Sequence, residues 1–207
     1  NRKEGPLVKI VRHVATNAQN IELFVLKRLV LMFHQMIALL VGNRDRKDID
    51  ENERYDIEHI CNELSRVGLT EVLTYLSGAT FCDEELRISA TRTLYQIVEN
   101  SHMVEMKNVN VKSRITNFLN NDLGAKTIAQ FSNRMNGTMM WLDGEMTSTQ
   151  VLKDPYDTVS ILKLFESLCI GQYETAQNAV VTQLVDNPTN FLTLTVNYLS
   201  SCSKQID

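Results

Sequence analysis

The chain has 207 residues, 43% of them apolar, and sets 21 Lys and Arg against 25 Asp and Glu for a net charge of −4. That is enough apolar side chain for one large core or two small ones, while the weak acidity argues against a nucleic-acid binder held by phosphate contacts. Eight glycines and three prolines are few for the many turns of an all-β protein, so a helical chain is expected.

In chain order, no secretory leader or lipidation motif is visible. The first residue is Asn1 rather than Met, which reads as a segment of a longer protein. Leu7, Val8, Ile10, Val11 and Val14 give a helical rhythm after Pro6, which suits a first-turn position. Asn20 is then expected to cap a long helix over residues 21–41 that Gly42 ends. This helix is apolar on nearly every side, so it belongs in a core or wedged between two neighbours. Glu22, Lys27 and Arg28 interrupt it, and the run from Leu29 to Val41 is shorter than the roughly 20 apolar residues a bilayer requires. Residues 43–54 alternate in charge and read as a solvated loop and helix start rather than an interaction tail.

Residues 57–100 organise the rest. They read as a helix, a glycine turn at Gly68, a short helix with Thr70 as its cap, a break at Ser77, Gly78 and Thr80, and a third helix capped by Asp83. In that third helix Leu86, Ala90, Leu94, Ile97 and Val98 share one face. A helix pair of this kind cannot bury its stripe alone and needs similar neighbours.

Residues 102–112 are irregular and polar, and residues 113–120 form a short helix with Ile115, Phe118 and Leu119 inward. A turn at Asn121, Asp122 and Gly124 leads to a helix over residues 125–141 with a stripe of Ile128, Phe131, Met135 and Met139. Such methionines are core fillers, although Met139, Met140, Trp141 and Met146 together could form an adaptable contact surface. After a loop over residues 143–156, Asp157 or Thr158 caps a helix whose inner face is Val159, Leu162, Phe165, Leu168 and Cys169. Gly171 ends it. A further helix over residues 173–185 turns Ala176, Val180, Val181 and Leu184 inward, and Asn190 caps a last one with Leu194, Tyr198, Leu199 and Cys202 inward.

No chemistry stands out. The histidines His13, His34, His59 and His102 are scattered, with no zinc-protease pair, and no glycine-rich phosphate loop is present. Cys61, Cys82, Cys169 and Cys202 are far apart, so they read as reduced cysteines acting as small buried hydrophobes in a cytosolic setting. No catalytic, cofactor-binding or metal-ligating set is identified, and an enzyme is not expected. Eight or nine short amphipathic helices with brief connections describe an all-α fold, an armadillo- or HEAT-like α-solenoid of stacked helix pairs.

Specific residues resemble the inositol trisphosphate and ryanodine receptor family of intracellular calcium-release channels. Leu64 to Leu73 looks like the family's Leu-Gly-x-Thr turn followed by a hydrophobic helix, and Ser89, Ala90 and Leu94 match the next helix. Phe131-Ser132-Asn133-Arg134-Met135 is similar to the family's Phe-x-Asp-Arg-Met. Leu164 to Cys169, then Gln177-Asn178, Thr189-Asn190 and Leu194 to Leu199, resemble the start of the receptor-homology-associated domain. The match runs in order over residues 60–207. One departure falls at Ile170, where family members carry a glutamate that helps bind the activating calcium ion. An apolar side chain cannot ligate a hard cation, and Glu166 and Glu174 lie about one turn away, so the calcium site is not carried over.

The resemblance implies residues 1–142 as an armadillo-like region, residues 143–156 as a loop, and residues 157–207 as the start of the associated helical domain. The expected function is a non-catalytic coupling module on the cytoplasmic face of the endoplasmic reticulum or a related calcium store. Its partners would be other domains of its parent chain, in a homotetramer, with no nucleic acid and no membrane insertion by this segment. The alternative is a free-standing α-solenoid scaffold for protein partners.

Overall fold

A computed structural model describes residues 5–44, 51–101, 111–145, 155–170, 174–181 and 190–205. Among these residues there are ten α-helices, one 3-10 turn at Ala18–Asn20, and no strand. The helices are α1 (Pro6–Asn17), α2 (Leu23–Arg44), α3 (Glu51–Arg66), α4 (Leu69–Gly78), α5 (Glu84–Asn100), α6 (Val111–Leu119), α7 (Asp122–Leu142), α8 (Pro155–Cys169), α9 (Glu174–Val181) and α10 (Phe191–Ser203). No helix of the described residues is long and apolar enough to cross a membrane.

Several ends form as the residues dictate. Pro6 opens α1, where its missing N–H costs nothing. Asp83 caps α5 by accepting the Leu86 amide at 3.0 Å, and Asn190 caps α10 through the Thr193 amide at 3.0 Å. Gly68 adopts φ 99°, a left-handed backbone that reverses the chain in one residue. Its amide donates to the Ser65 carbonyl at 2.9 Å and its own carbonyl accepts the Val72 amide at 3.1 Å. Gly68 therefore both closes α3 and opens α4, which leaves no cap position for Thr70. The Thr70 hydroxyl lies inside the first turn, donating to Glu71 at 2.8 Å with Ser65 Oγ 3.1 Å away.

Other boundaries differ from expectation. Asn20 sits in the 3-10 turn, and the Glu22 carbonyl accepts the Val25 and Leu26 amides to start α2 two residues later. Gly42 does not end α2, which runs through to Arg44. Asn121 is a cap rather than part of a wider turn, since its side chain accepts the Gly124 amide at 2.9 Å and α7 starts at Asp122. Of the helix expected over residues 173–185, the described part is α9, Glu174–Val181, and residues 173 and 182–185 lie outside the described residues. The irregular stretch at 102–110, most of the loop at 143–156, Gly171 and Leu184 lie outside the described residues.

Packing obeys a simple rule: each helix touches the third one along. Thus α4 packs on α1, α5 on α2, α6 on α3, α7 on α4, α8 on α5, α9 on α6 and α10 on α7. Three rows result, α1–α4–α7–α10, α2–α5–α8 and α3–α6–α9. One cluster of buried side chains draws on all ten helices and reaches from Val11 to Leu194. Between α2 and α5, Leu26, Val30, Phe33 and Ile37 are almost fully buried, each contributing about 1.5–3 kcal/mol. Helix α5 touches α2, α3, α4 and α8. Hence it buries Ile88, Thr91 and Thr93 as well as the expected Leu86, Ala90, Leu94, Ile97 and Val98.

Candidate functional site

Within the described interior, Arg134 of the Phe131 to Met135 motif forms a buried ion pair with Asp157 of α8. Arg134 and Asp157 expose only 6% and 7% of their side chains. Arg134 Nε donates to Asp157 Oδ2 at 2.8 Å and its Nη2 to the other carboxylate oxygen, a two-pronged contact. The remaining donors find partners on two more helices: Nη1 on the Ser77 carbonyl at 3.3 Å and Nη2 on the Thr91 hydroxyl at 3.1 Å. Phe131 lies one turn earlier, its ring centre 5.4 Å from the guanidinium carbon. One side chain of α7 thereby ties α4, α5 and α8 together.

Neither Asp157 nor Thr158, the two residues expected to cap α8, does so. Helix α8 instead starts at Pro155, and both residues turn inward from its first turn. Thr158 donates to Thr138 of α7 at 3.0 Å, continuing the polar seam that Arg134 begins. Pinning Asp157 inward also sets the rotation of the helix. The buried face is Ile161, Leu164, Phe165 and Leu168, while Val159 is 39% exposed and so does not belong to the inner face. Leu162 and Cys169 are half-buried. At the edge of the seam, burial raises the Glu84 carboxyl above its ordinary range, against the pull of Arg87 and Arg134.

Where α4 crosses α7, Gly78 is the residue that permits the approach. A Cβ there would lie 2.3 Å from Thr127 Oγ1 and 2.4 Å from Thr127 Cα. Gly78 ends its helix as expected, but packing is the stronger reason for a glycine. Thr127 also donates to the Leu123 carbonyl at 3.0 Å.

The position matched to the family's calcium ligand, Ile170, is 55% exposed at the carboxyl end of α8. Its carbonyl accepts Lys112 Nζ at 3.0 Å, so a cation from α6 already faces this helix end. Burial lowers the Lys112 pKa. Burial raises the Cys169 thiol, with Lys112 pulling the other way. Glu166 and Glu174 are both exposed. Among the described residues no group of three or more His, Cys, Asp or Glu could hold a metal ion.

The remaining candidates are dispersed. His13 and His59 are exposed, His34 is half-buried near Thr93 Oγ1 at 3.4 Å, and His102 lies outside the described residues. Cys61 and Cys82 are buried and Cys169 and Cys202 partly so, all four as free thiols. Burial pushes Cys82 up to about 12. Of the methionine cluster, Met139 packs on the core, Met140 is 42% exposed, Trp141 is half-buried and Met146 is outside the described residues.

A wide concavity lies elsewhere among the described residues. A trough of about 950 Å³ lies between α8, α9 and α10, walled by Val159, Leu162, Val180, Val181 and Leu192. Val181 and Leu199, both expected inward, are 61% and 58% exposed. In α10 the buried set is Phe191, Leu194, Tyr198 and Ser201, the face turned to α7. Ser201 donates to Asp143 at 2.9 Å, and Lys204 joins the same carboxylate at 3.0 Å. Set against known proteins, the chain matches no family model, no curated protein and no solved structure.

Proposed function

We propose that the chain is a run of an armadillo-like α-solenoid that transmits conformational change, as the coupling module of a calcium-release channel related to the inositol trisphosphate receptors. The observation that carries the mechanical part is the packing of every helix on the third one along. Three-helix units stacked in register give that pattern, and such a stack holds its shape because each unit is braced by its neighbours. In this reading the repeating unit is a helix triple, where the residues alone suggested a helix pair. The Arg134 clasp supports the coupling role, since it joins helices of two successive units through one rigid, charged group. A body fastened in this way moves as a block and biases an interface at its end. The channel identity rests on the order of the motifs from Leu64 to Leu199.

Calcium release by the natural-length protein in sealed vesicles tests this reading. Pairing Arg134→Met with Asp157→Leu should keep the stack folded yet weaken ligand-evoked release. A natural-length polypeptide with no membrane-spanning segment would defeat the channel reading. The scaffold alternative expects partner binding around Met139 to Met146, and there Trp141→Ala should weaken a pulldown without lowering thermal stability.

A further inference from the structure

Two helices at the ends of the rows, α2 and α10, leave apolar surface exposed, whereas α1 turns Lys9, Arg12, His13 and Thr16 outward. At one end, α2 turns Leu26, Val30, Phe33 and Ile37 into the core and carries a second apolar stripe on its far side. That stripe recurs every seven residues, with Val25, Met32 and Leu39 flanked by Phe24 and Leu31, and its members are between 39% and 73% exposed. A seven-residue repeat is the spacing by which one helix seats along another. At the opposite end, α10 presents Leu192, Val196 and Leu199 at 75%, 65% and 58% exposure, beside the trough over α8 and α9.

The rows also say what would fit. Helix α10 stacks on α7, as a first helix of a triple stacks on the one before it. The trough lies where the second and third helices of that triple would pack on α8 and α9. A free stack closes with units whose outer face is polar, and contiguous apolar surface of this kind marks a contact site. Neither the outward stripe of α2 nor that of α10 is such a closing face.

We propose that both end faces are interfaces for further helices of the same three-helix kind within the natural-length polypeptide. One amphipathic helix lies along the heptad stripe of α2, and a helix pair fills the trough over α8 and α9. This rests on the three-helix stack proposed above and not on the channel identity.

Amide exchange in the natural-length polypeptide, compared with residues 1–207 alone, tests it. The amides of α2 and α10 should exchange at least about tenfold more slowly in the longer protein. Leu39→Glu should remove that difference at α2 and Val196→Glu at α10, and both should leave residues 1–207 unchanged. Equal exchange in the two proteins, or a natural-length protein indifferent to both substitutions, overturns the proposal. It is equally overturned if residues 1–207 associate head to tail, with each substitution abolishing association and an equimolar mixture of the two variants restoring a heterodimer. In that case the occupant is a second copy. A protein that lacks spanning segments defeats the channel reading alone and leaves this one standing.

Discussion

Arg134 shows how much can depend on one side chain. Two charges removed from water are tolerable only while they face each other, so deleting one partner strands the other. Arg134→Ala should therefore cost about 3–5 kcal/mol in urea denaturation, and Arg134→Met with Asp157→Leu should recover most of it. Gly78 makes a different demand. Because an added Cβ meets the Thr127 backbone as well as its hydroxyl, Gly78→Ala should cost about 1–3 kcal/mol, and Thr127→Ser should not rescue it. His34 gives a signature in pH. Burial, with Arg92 nearby, lowers its pKa below the ordinary 6.5. The unfolded chain then takes up the proton first, so stability is full above pH 6.5 and declines as pH falls towards the folded-state value. His34→Gln should flatten that decline in thermal melts between about pH 7 and pH 5. The sequence names each of these residues without revealing its task. Arg134 finds its carboxylate 23 positions away, and no local pattern encodes that distance.

At the level of single helices, local chemistry was readable wherever it decided the outcome. Asp83 and Asn190 cap as their type and position suggest, while Asn121, read as part of a turn, also caps α7. Asn121→Ala and Asn190→Ala should each lower stability by about 0.5–2 kcal/mol, measured by chemical denaturation. Faces were harder to assign than helices. Helix α8 has two apolar stripes, one of Val159 and Leu162, the other of Ile161, Leu164 and Leu168, and both satisfy helical spacing. The choice between them is made by Asp157, which turns inward to Arg134. Helix α10 poses the same ambiguity with Leu199, where the α7 contact selects Leu194 and Tyr198. Helix α2, apolar all round, fits the expectation of two neighbours on only one side; α5 covers one face and the other carries an exposed stripe.

For the molecule as a whole, helical class is legible in composition and periodicity, whereas the contact of each helix with the third one along is not. Sequence spacing reports which residues share a face, but not which distant helix that face meets. Position within the rows should set local stability. Helices α4 and α5 have neighbours on several sides, while α1 and α10 are first and last in their row. In residues 1–207, α4 and α5 amides should exchange slowest and those of α1 and α10 fastest, and equal rates throughout would contradict a graded stack. The Arg134 clasp has a mechanical consequence. Its planar guanidinium is a rigid fork engaged on three other helices. A displacement of α7 must therefore carry α4, α5 and α8 with it or break those contacts.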